Sequence, residues 1–346
     1  MKAVVKTKPS AGFEILDMPM PQIKPDEVLL KVSFCGICGS DVPLYDWSPD
    51  NKFLRGIPIE YPRIIGHEPS GIVAEVGANV QGMKPGDRVC ADNWGGCGEC
   101  YYCRLGHFNQ CQHRKGIGTA VDGAMAEYVA LPAFNLYKIP DSMSLDEAAV
   151  IQPLGVAVHG FETLVNFKAG DDILILGPGS IGQLEAMVAR ASGAGKVFVL
   201  GRAVDKQRLE LANQMGFIAI NNEEQSALNI VLAETNGRGV DVVFDTTSGG
   251  APGEAMKFLK AVGQLVITAI LPRQVTLDGN EINRREIIIN HHTDRNPSSF
   301  YRAISLVANG RVDVKRIITH KLNLEDADTG FQKMQKSEGL KILLQP

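Results

Sequence analysis

DDILILGPGSIG, residues 171–182, places Gly177, Gly179 and Gly182 directly behind a short apolar run and at the head of a segment with helical character. The first glycine permits the tight turn out of a strand. The second, in a loop completed by Pro178, Ser180 and Ile181, lets the backbone approach a pyrophosphate. The third allows the following helix to pack on the strand, with its N-terminus towards the anion. A G-x-G-x-x-G pattern is weak by itself and gains meaning from its surroundings. Downstream, KVFVL (196–200), DKQRLELANQMG (205–216), DVVFDTT (241–247), APGEAMKFLKAV (251–262) and QLVITAI (264–270) read as strand, helix, strand, helix, strand. That alternation predicts a parallel sheet with helices on both faces, built to bind a dinucleotide.

The strand KVFVL runs into Gly201 and Arg202, where an acidic residue ordinarily receives the adenosine ribose hydroxyls. Arg202 can instead pair with a 2′-phosphate, which favours acceptance of NADP as well as NAD. The alternative leaves Arg202 in solvent and Asp205 as a helix cap.

Upstream, residues 1–151 are β-rich: VLLKVSF (28–34), GIVAEVG (71–77), DRVCA (87–91) and AEYVAL (126–131) are separated by Gly, Pro and Asp turns. After residue 295 come a helical stretch, SSFYRAISLVANG (298–310), and a closing strand, KILLQ (341–345). The expected organisation is therefore a β-rich domain of residues 1–151 and 296–346, interrupted by the dinucleotide domain of residues 152–295. A length of 346 residues suits two domains. With 45% hydrophobic and 21% charged residues, the chain can bury a core. A formal charge of −4 argues against nucleic acid or an anionic membrane as partner. The first residues, MKAVVKTKPS, lack the apolar core of a secretory signal, and no apolar run approaches the roughly 18 residues of a membrane span. The expected location is the cytoplasm.

Four of the seven cysteines, Cys97, Cys100, Cys103 and Cys111, crowd into fifteen positions. In a chain without an export signal this points to metal before disulfides. Four thiolates on one loop suit a tetrahedral zinc that is closed to substrate and hence structural. The final gap is too long for a bacterial ferredoxin run and lacks its proline. His107 and His113 nearby read as surface residues. A second group is sparser: Cys38 in CGICGSD, and His67 with Glu68 in GHE. One thiolate, one imidazole and one carboxylate can hold zinc and leave a position open. Taken alone, a cysteine and a distant His-Glu pair are more often a core thiol and a loop.

CGICGSD (35–41), GHEPSG (66–71), GDRV (86–89), the four-cysteine lobe (about 93–113) and GPGSIG (177–182) follow one another along nearly the whole chain. Together they resemble the zinc-dependent medium-chain dehydrogenase/reductase family, on its sorbitol, polyol-phosphate and L-threonine 3-dehydrogenase branch. HRKGIGTAVDGAMAEYV (113–129) is similar to polyol-phosphate members, and YDW (45–47) with IPIEYPRIIGHE (57–68) to threonine enzymes. The resemblance implies an α/β chain: a GroES-like catalytic domain with an inserted, doubly wound Rossmann domain, in a homodimer or homotetramer. It also implies a catalytic zinc on Cys38, His67 and Glu68, with Ser40 accepting the proton of the substrate hydroxyl. The substrate class it implies first is a polyol, sugar acid or polyol phosphate, with a β-hydroxy amino acid such as L-threonine second. An inactive binding or regulatory protein is the alternative of another class.

Two positions depart from the family. Gln152 stands where sorbitol-type members carry a carboxylate near the zinc, and Pro43 replaces a histidine that continues the proton relay. A neutral amide leaves the site about one charge less negative, so the catalytic ion is expected to be held more loosely. Arg295, and more weakly Arg55, are candidates for recognising an anionic substrate. Trp47, His291 and His292 have no assigned role.

Overall fold

The computed structural model describes residues 1–47, 59–93, 95–249, 252–271, 274–291 and 293–346. Arg55 and His292 lie outside the described residues. Two compact units result, Met1–Gln152 with Arg295–Pro346, and Pro153–Asp294.

In the second unit six parallel strands form one sheet. Across it run Ile218–Asn221, Val197–Gly201, Ile173–Leu176, Val240–Asp245, Leu259–Ile267 and Ile288–His291. The chain builds outward from Ile173–Leu176 in one direction, then returns to add strands on its other side. The reversal falls between Ile173–Leu176 and Val240–Asp245, and the carboxyl ends of such a pair are where α/β sheets bind ligands. Ile173, Leu174 and Ile175 are fully buried, as a strand covered on both faces requires.

One expected element is cut short. APGEAMKFLKAV predicts a long helix, whereas only Pro252–Ala255 is α-helical, followed by a single tighter turn at Met256–Phe258. Leu259 then pairs with Val240 and begins the nine-residue strand Leu259–Ile267. Leu259 is 2% exposed, so burial on the sheet outweighs a helical pattern that propensity sets only weakly. Arg285 donates to the Met256 and Leu259 carbonyls and satisfies acceptors that the helix no longer uses.

The first unit carries a seven-stranded, mostly antiparallel sheet. Its central strand, Glu27–Gly36, pairs with Glu68–Val76, with Tyr128–Pro132 and with the last strand, Lys341–Gln345. The main core lies against this sheet, with Val28, Leu30, Ile37, Phe331, Ile342 and Leu344 all fully buried. Among the described residues no helix is long and apolar enough to cross a membrane.

Candidate metal centres and cofactor loop

Strand register assembles the first metal group. Gly36, the last residue of Glu27–Gly36, lies opposite Glu68, the first residue of Glu68–Val76. Cys38 therefore follows the pair by two residues on one strand, and His67 precedes it by one on the other. Ligand atoms of Cys38, His67 and Glu68 all fall within 4.8 Å of one another.

Two side chains that the motifs do not single out hold this group in place. Asp41 is 2% exposed. Its Oδ2 accepts from the Cys38 backbone N–H at 3.0 Å, and its Oδ1 lies 3.2 Å from His67 Nδ1. With Nδ1 engaged, Nε2 remains for a metal, the arrangement that orients metal-bound imidazoles generally. Burial opposes a charged imidazole at His67, but the Asp41 carboxylate and the Cys38 sulfur outweigh it and lift its pKa well above the usual value. The second is Lys341, buried on the strand beside Glu27–Gly36, which donates to Glu68 Oε2 at 2.7 Å and Oε1 at 3.0 Å. Burial works against its charge, and Glu68, together with Cys38 and Asp41, more than compensates, so its pKa is raised. A residue spacing of 273 hides this pair from motif reading. The signal that could have found it is a lysine in KILLQ, the sole charge in a strand otherwise apolar until Gln345.

Ser40 lies partly exposed on the turn just before Asp41. Pro43 occupies the first turn of the short helix Val42–Asp46. Gln152 is 5% exposed, in the first turn of the helix Ile151–Leu164.

The second group is local. Cys97, Cys100, Cys103 and Cys111 converge, with Cys97 Sγ to Cys103 Sγ and Cys100 Sγ to Cys111 Sγ both 4.0 Å. Four sulfurs on a tetrahedral zinc, each about 2.3 Å from it, stand roughly 3.8 Å apart, so the donor set fits the ion. Backbone N–H groups of Cys97 and His113 point at Cys111 Sγ, and that of Cys100 at Cys97 Sγ, at 3.3–3.4 Å. Such donors favour thiolates. Backbone hydrogen bonds bring the Cys100 thiol down to about 6, while burial pushes Cys103 up to about 12. His107 and His113 are exposed.

Arg295, a candidate for recognising substrate, lies at the base of this lobe. It is 2% exposed, and its guanidinium donates to Asp92 Oδ1 at 2.5 Å and to Asn93 Oδ1. Next to it, Asn296 Oδ1 accepts from the Asn109 backbone inside the lobe. His291 is exposed at the end of an edge strand, and Trp47 packs edge-on against Tyr61.

In the second unit each glycine of 177–182 has a distinct environment. Gly177 takes φ +98°, and a Cβ there would lie 2.7 Å from Thr246 Oγ1. A Cβ on Gly182 would lie 1.9 Å from the Gly177 carbonyl oxygen, which enforces the close helix–strand packing. A Cβ on Gly179, just ahead of the helix Ser180–Ala191, would meet nothing within 4 Å. Open space at the second glycine, beside a helix N-terminus, is what a pyrophosphate needs. Gly201 packs against Pro178, where a Cβ would come within 2.8 Å of its ring. Arg202 is exposed, while Asp205 turns inward, accepting from the Arg202 backbone at 3.2 Å and pairing with Arg208 at 3.4 Å. Glu223, absent from the motif reading, accepts from the Ala203 backbone at 3.1 Å.

The chain matches the family descriptions "Alcohol dehydrogenase GroES-like domain" over residues 24–141 and "Zinc-binding dehydrogenase" over residues 180–309. It is 35% identical to the L-threonine 3-dehydrogenase of Shewanella loihica, across 99% of both chains. A Sinorhizobium meliloti 1021 protein solved with NADP bound superimposes with a TM-score of 0.91 at 29% identity, covering 100% of this chain and 99% of the other. Galactitol-1-phosphate dehydrogenase from Escherichia coli does so at 0.89 and 26% identity, with 100% of each chain covered. The chain therefore belongs to the zinc-dependent medium-chain dehydrogenases, NAD(P)-dependent oxidoreductases that act on CH–OH groups.

Proposed function

We propose that this enzyme oxidises the secondary hydroxyl of a small polar substrate, with L-threonine the first compound to test. The juxtaposition of Cys38, His67 and Glu68 within 4.8 Å, with Asp41 bridging the first two, carries the reading. Whole-chain identity of 35% to an L-threonine 3-dehydrogenase moves the β-hydroxy amino acid ahead of the polyol. A polyol or polyol phosphate is the second reading, favoured by the full-length likeness to galactitol-1-phosphate dehydrogenase.

Zinc held by Cys38, His67 and Glu68 would supply Lewis-acid polarisation of the substrate oxygen, and a nicotinamide cofactor would supply the hydride acceptor. The protein's own share is positional. Asp41 fixes the Cys38 turn and the His67 ring together, so both ligands face one point. Ser40 accepts the hydroxyl proton; Pro43 has no group to carry it further, so the proton would leave through water or a hydroxyl of a bound cofactor. In balance, alcohol and NAD(P)+ give ketone, NAD(P)H and one proton.

NADP is accepted beside NAD. Arg202 is the exposed cation at the strand end, and Asp205 is committed to the Arg202 backbone and to Arg208. The neighbour solved with NADP supports this choice.

The deciding assay follows reduced-nicotinamide formation on L-threonine, polyols, polyol phosphates and sugar acids, with both cofactors, before and after chelation and zinc add-back. Turnover of L-threonine that vanishes with chelator and returns with zinc is expected. Turnover confined to polyols replaces the first reading with the second. Silence across the panel with both cofactors bound supports the inactive alternative.

A further inference from the structure

We propose that Glu223 is a specificity-determining residue for the cofactor. It brings to the adenosine end of the dinucleotide loop the negative charge that the strand Val197–Gly201 lacks. There it receives the ribose 2′-hydroxyl of NAD and opposes the 2′-phosphate of NADP. The inference rests on the reading that residues 177–182 bind NAD(P), and it deepens the dual acceptance drawn from Arg202.

Strand register carries Glu223 to that place. Val197–Gly201 and Ile218–Asn221 run parallel, with Gly201 opposite Asn221, and the Asn222 N–H donates to the Gly201 carbonyl at 2.9 Å. The next residues of both strands therefore leave the sheet side by side. Asn221 closes the turn that follows. Its Oδ1 accepts from the Glu223 N–H at 3.1 Å, and its carbonyl accepts from the Glu224 and Gln225 N–H groups at 3.2 and 3.1 Å. Held by this turn, Glu223 Oε2 accepts from the Ala203 N–H at 3.1 Å. Gly201 itself packs on Pro178, so this strand end adjoins the cofactor loop.

Two opposite charges thus flank one strand end. Arg202 and Glu223 are both exposed, and no ion pair joins them among the described residues. Asp205 is buried and spends its carboxylate on the Arg202 N–H and on Arg208. Glu223 is therefore the carboxylate anchored to residues 201–203 that still faces solvent. With one oxygen fixed on the Ala203 N–H, it can accept from a ribose hydroxyl, the part an acid at the strand end ordinarily plays. A 2′-phosphate meets the same carboxylate as repulsion and Arg202 as attraction. It also finds the Ala203 N–H, a donor it could use, already taken. Dual acceptance is then a balance between Arg202 and Glu223.

The test titrates the full-length protein with NADH and with NADPH, following nicotinamide fluorescence in the absence of substrate. Glu223→Gln keeps an acceptor for the Ala203 N–H and removes the charge. It should shift the ratio of the two dissociation constants about tenfold towards NADPH. Glu223→Lys, which reverses the charge, should shift it further the same way. Arg202→Gln should move the ratio about tenfold towards NADH. Both charges are exposed, so at about 1 M salt the Glu223→Gln shift should shrink to about threefold or less. Adenosine 2′,5′-bisphosphate should displace NADH more readily from Glu223→Gln than from wild type, and 5′-AMP should not. A ratio within about twofold of wild type in folded Glu223→Gln and Glu223→Lys would overturn the proposal and leave Glu223 a turn residue. A wild-type protein that binds NADH alone breaks the dual-cofactor reading instead. The proposal then holds if Glu223→Gln gains NADPH and falls if it does not. A protein that binds neither cofactor overturns the reading of the loop, and this proposal with it.

Discussion

The two metal groups are built in opposite ways. The lobe gathers Cys97, Cys100, Cys103 and Cys111 from one loop, with backbone N–H groups of the same loop aimed at the sulfurs. The Cys38 group is assembled by the pairing of two strands and supported by side chains from elsewhere, Asp41 on one side and Lys341 on the other. A four-thiolate loop closes around its ion and leaves no position for substrate. A group with one thiolate, one imidazole and one carboxylate leaves a position open. Local construction suits permanence, and construction across a sheet suits chemistry.

The sharpest way to break this contrast is Cys38→Ser. It should lower kcat/KM by roughly 10³-fold or more, about 4 kcal/mol of barrier. Elemental analysis should show one ion lost per chain, with the lobe ion retained. Loss of both ions would mean that the groups are not independent.

Cys103→Ser should do the reverse. Cys103 is 4% exposed, and its loss should release the lobe ion and destabilise the first unit by about 3 kcal/mol. Thermal unfolding with metal analysis checks the stability loss, and activity per folded molecule should persist. An equal fall in activity at low temperature would make the lobe part of the catalytic machinery.

Asp41→Asn is subtler, because the amide still fits but no longer holds the imidazole as a carboxylate does. Affinity for the catalytic ion and kcat/KM should each fall about 10- to 100-fold, roughly 2 kcal/mol, with lobe metal unchanged. A variant with wild-type affinity would reduce Asp41 to a turn-former.

Glu185 shows what a buried carboxylate becomes without a lysine beside it. Like Glu68 it is 0% exposed, but its only hydrogen-bond partner among the described residues is the Thr268 hydroxyl at 2.6 Å, and its Oε2 has none. Burial pushes its pKa up to about 8, the Thr268 hydrogen bond pulls the other way, and Asp245 adds to the rise. The native state therefore binds this proton more tightly than the unfolded chain, where the pKa is about 4.3. Stability should fall as pH rises between those two values. Glu185→Gln removes that loss, so its advantage should grow from pH 5 to pH 8 and reach about 1–2 kcal/mol. Thermal midpoints at several pH values measure it, and a pH-independent difference would sink the assignment.

The smallest effect expected is from Gln152→Glu, which adds the negative charge that sorbitol-type relatives carry. Loss of the catalytic ion on dialysis should slow by roughly threefold to tenfold. Unchanged metal content would show that position 152 does not set the charge of the site.

Where ligands are neighbours in the chain, their spacing states the chemistry. The glycines at 177, 179 and 182 and the four lobe cysteines were legible for that reason, because a turn or a loop brings them together whatever the rest of the fold does. The alternation of strands and helices across residues 171–270 was likewise legible, apart from the helix that gave way to the strand Leu259–Ile267. Cys38, His67 and Glu68 became a set only through resemblance, since nothing in their spacing requires them to meet.

What the amino-acid sequence determined alone was the dinucleotide loop and the four-thiolate lobe, both consequences of local backbone geometry. Tertiary structure decided the rest. It seated Lys341 on Glu68, 273 residues away, and Asp41 on His67. It withdrew Arg295 from solvent onto Asp92, 203 residues away, despite a charge that suggested substrate. The physical reason is common to these pairs. A buried charge must find its partner wherever strand register and packing place one, and that placement is a property of the whole fold.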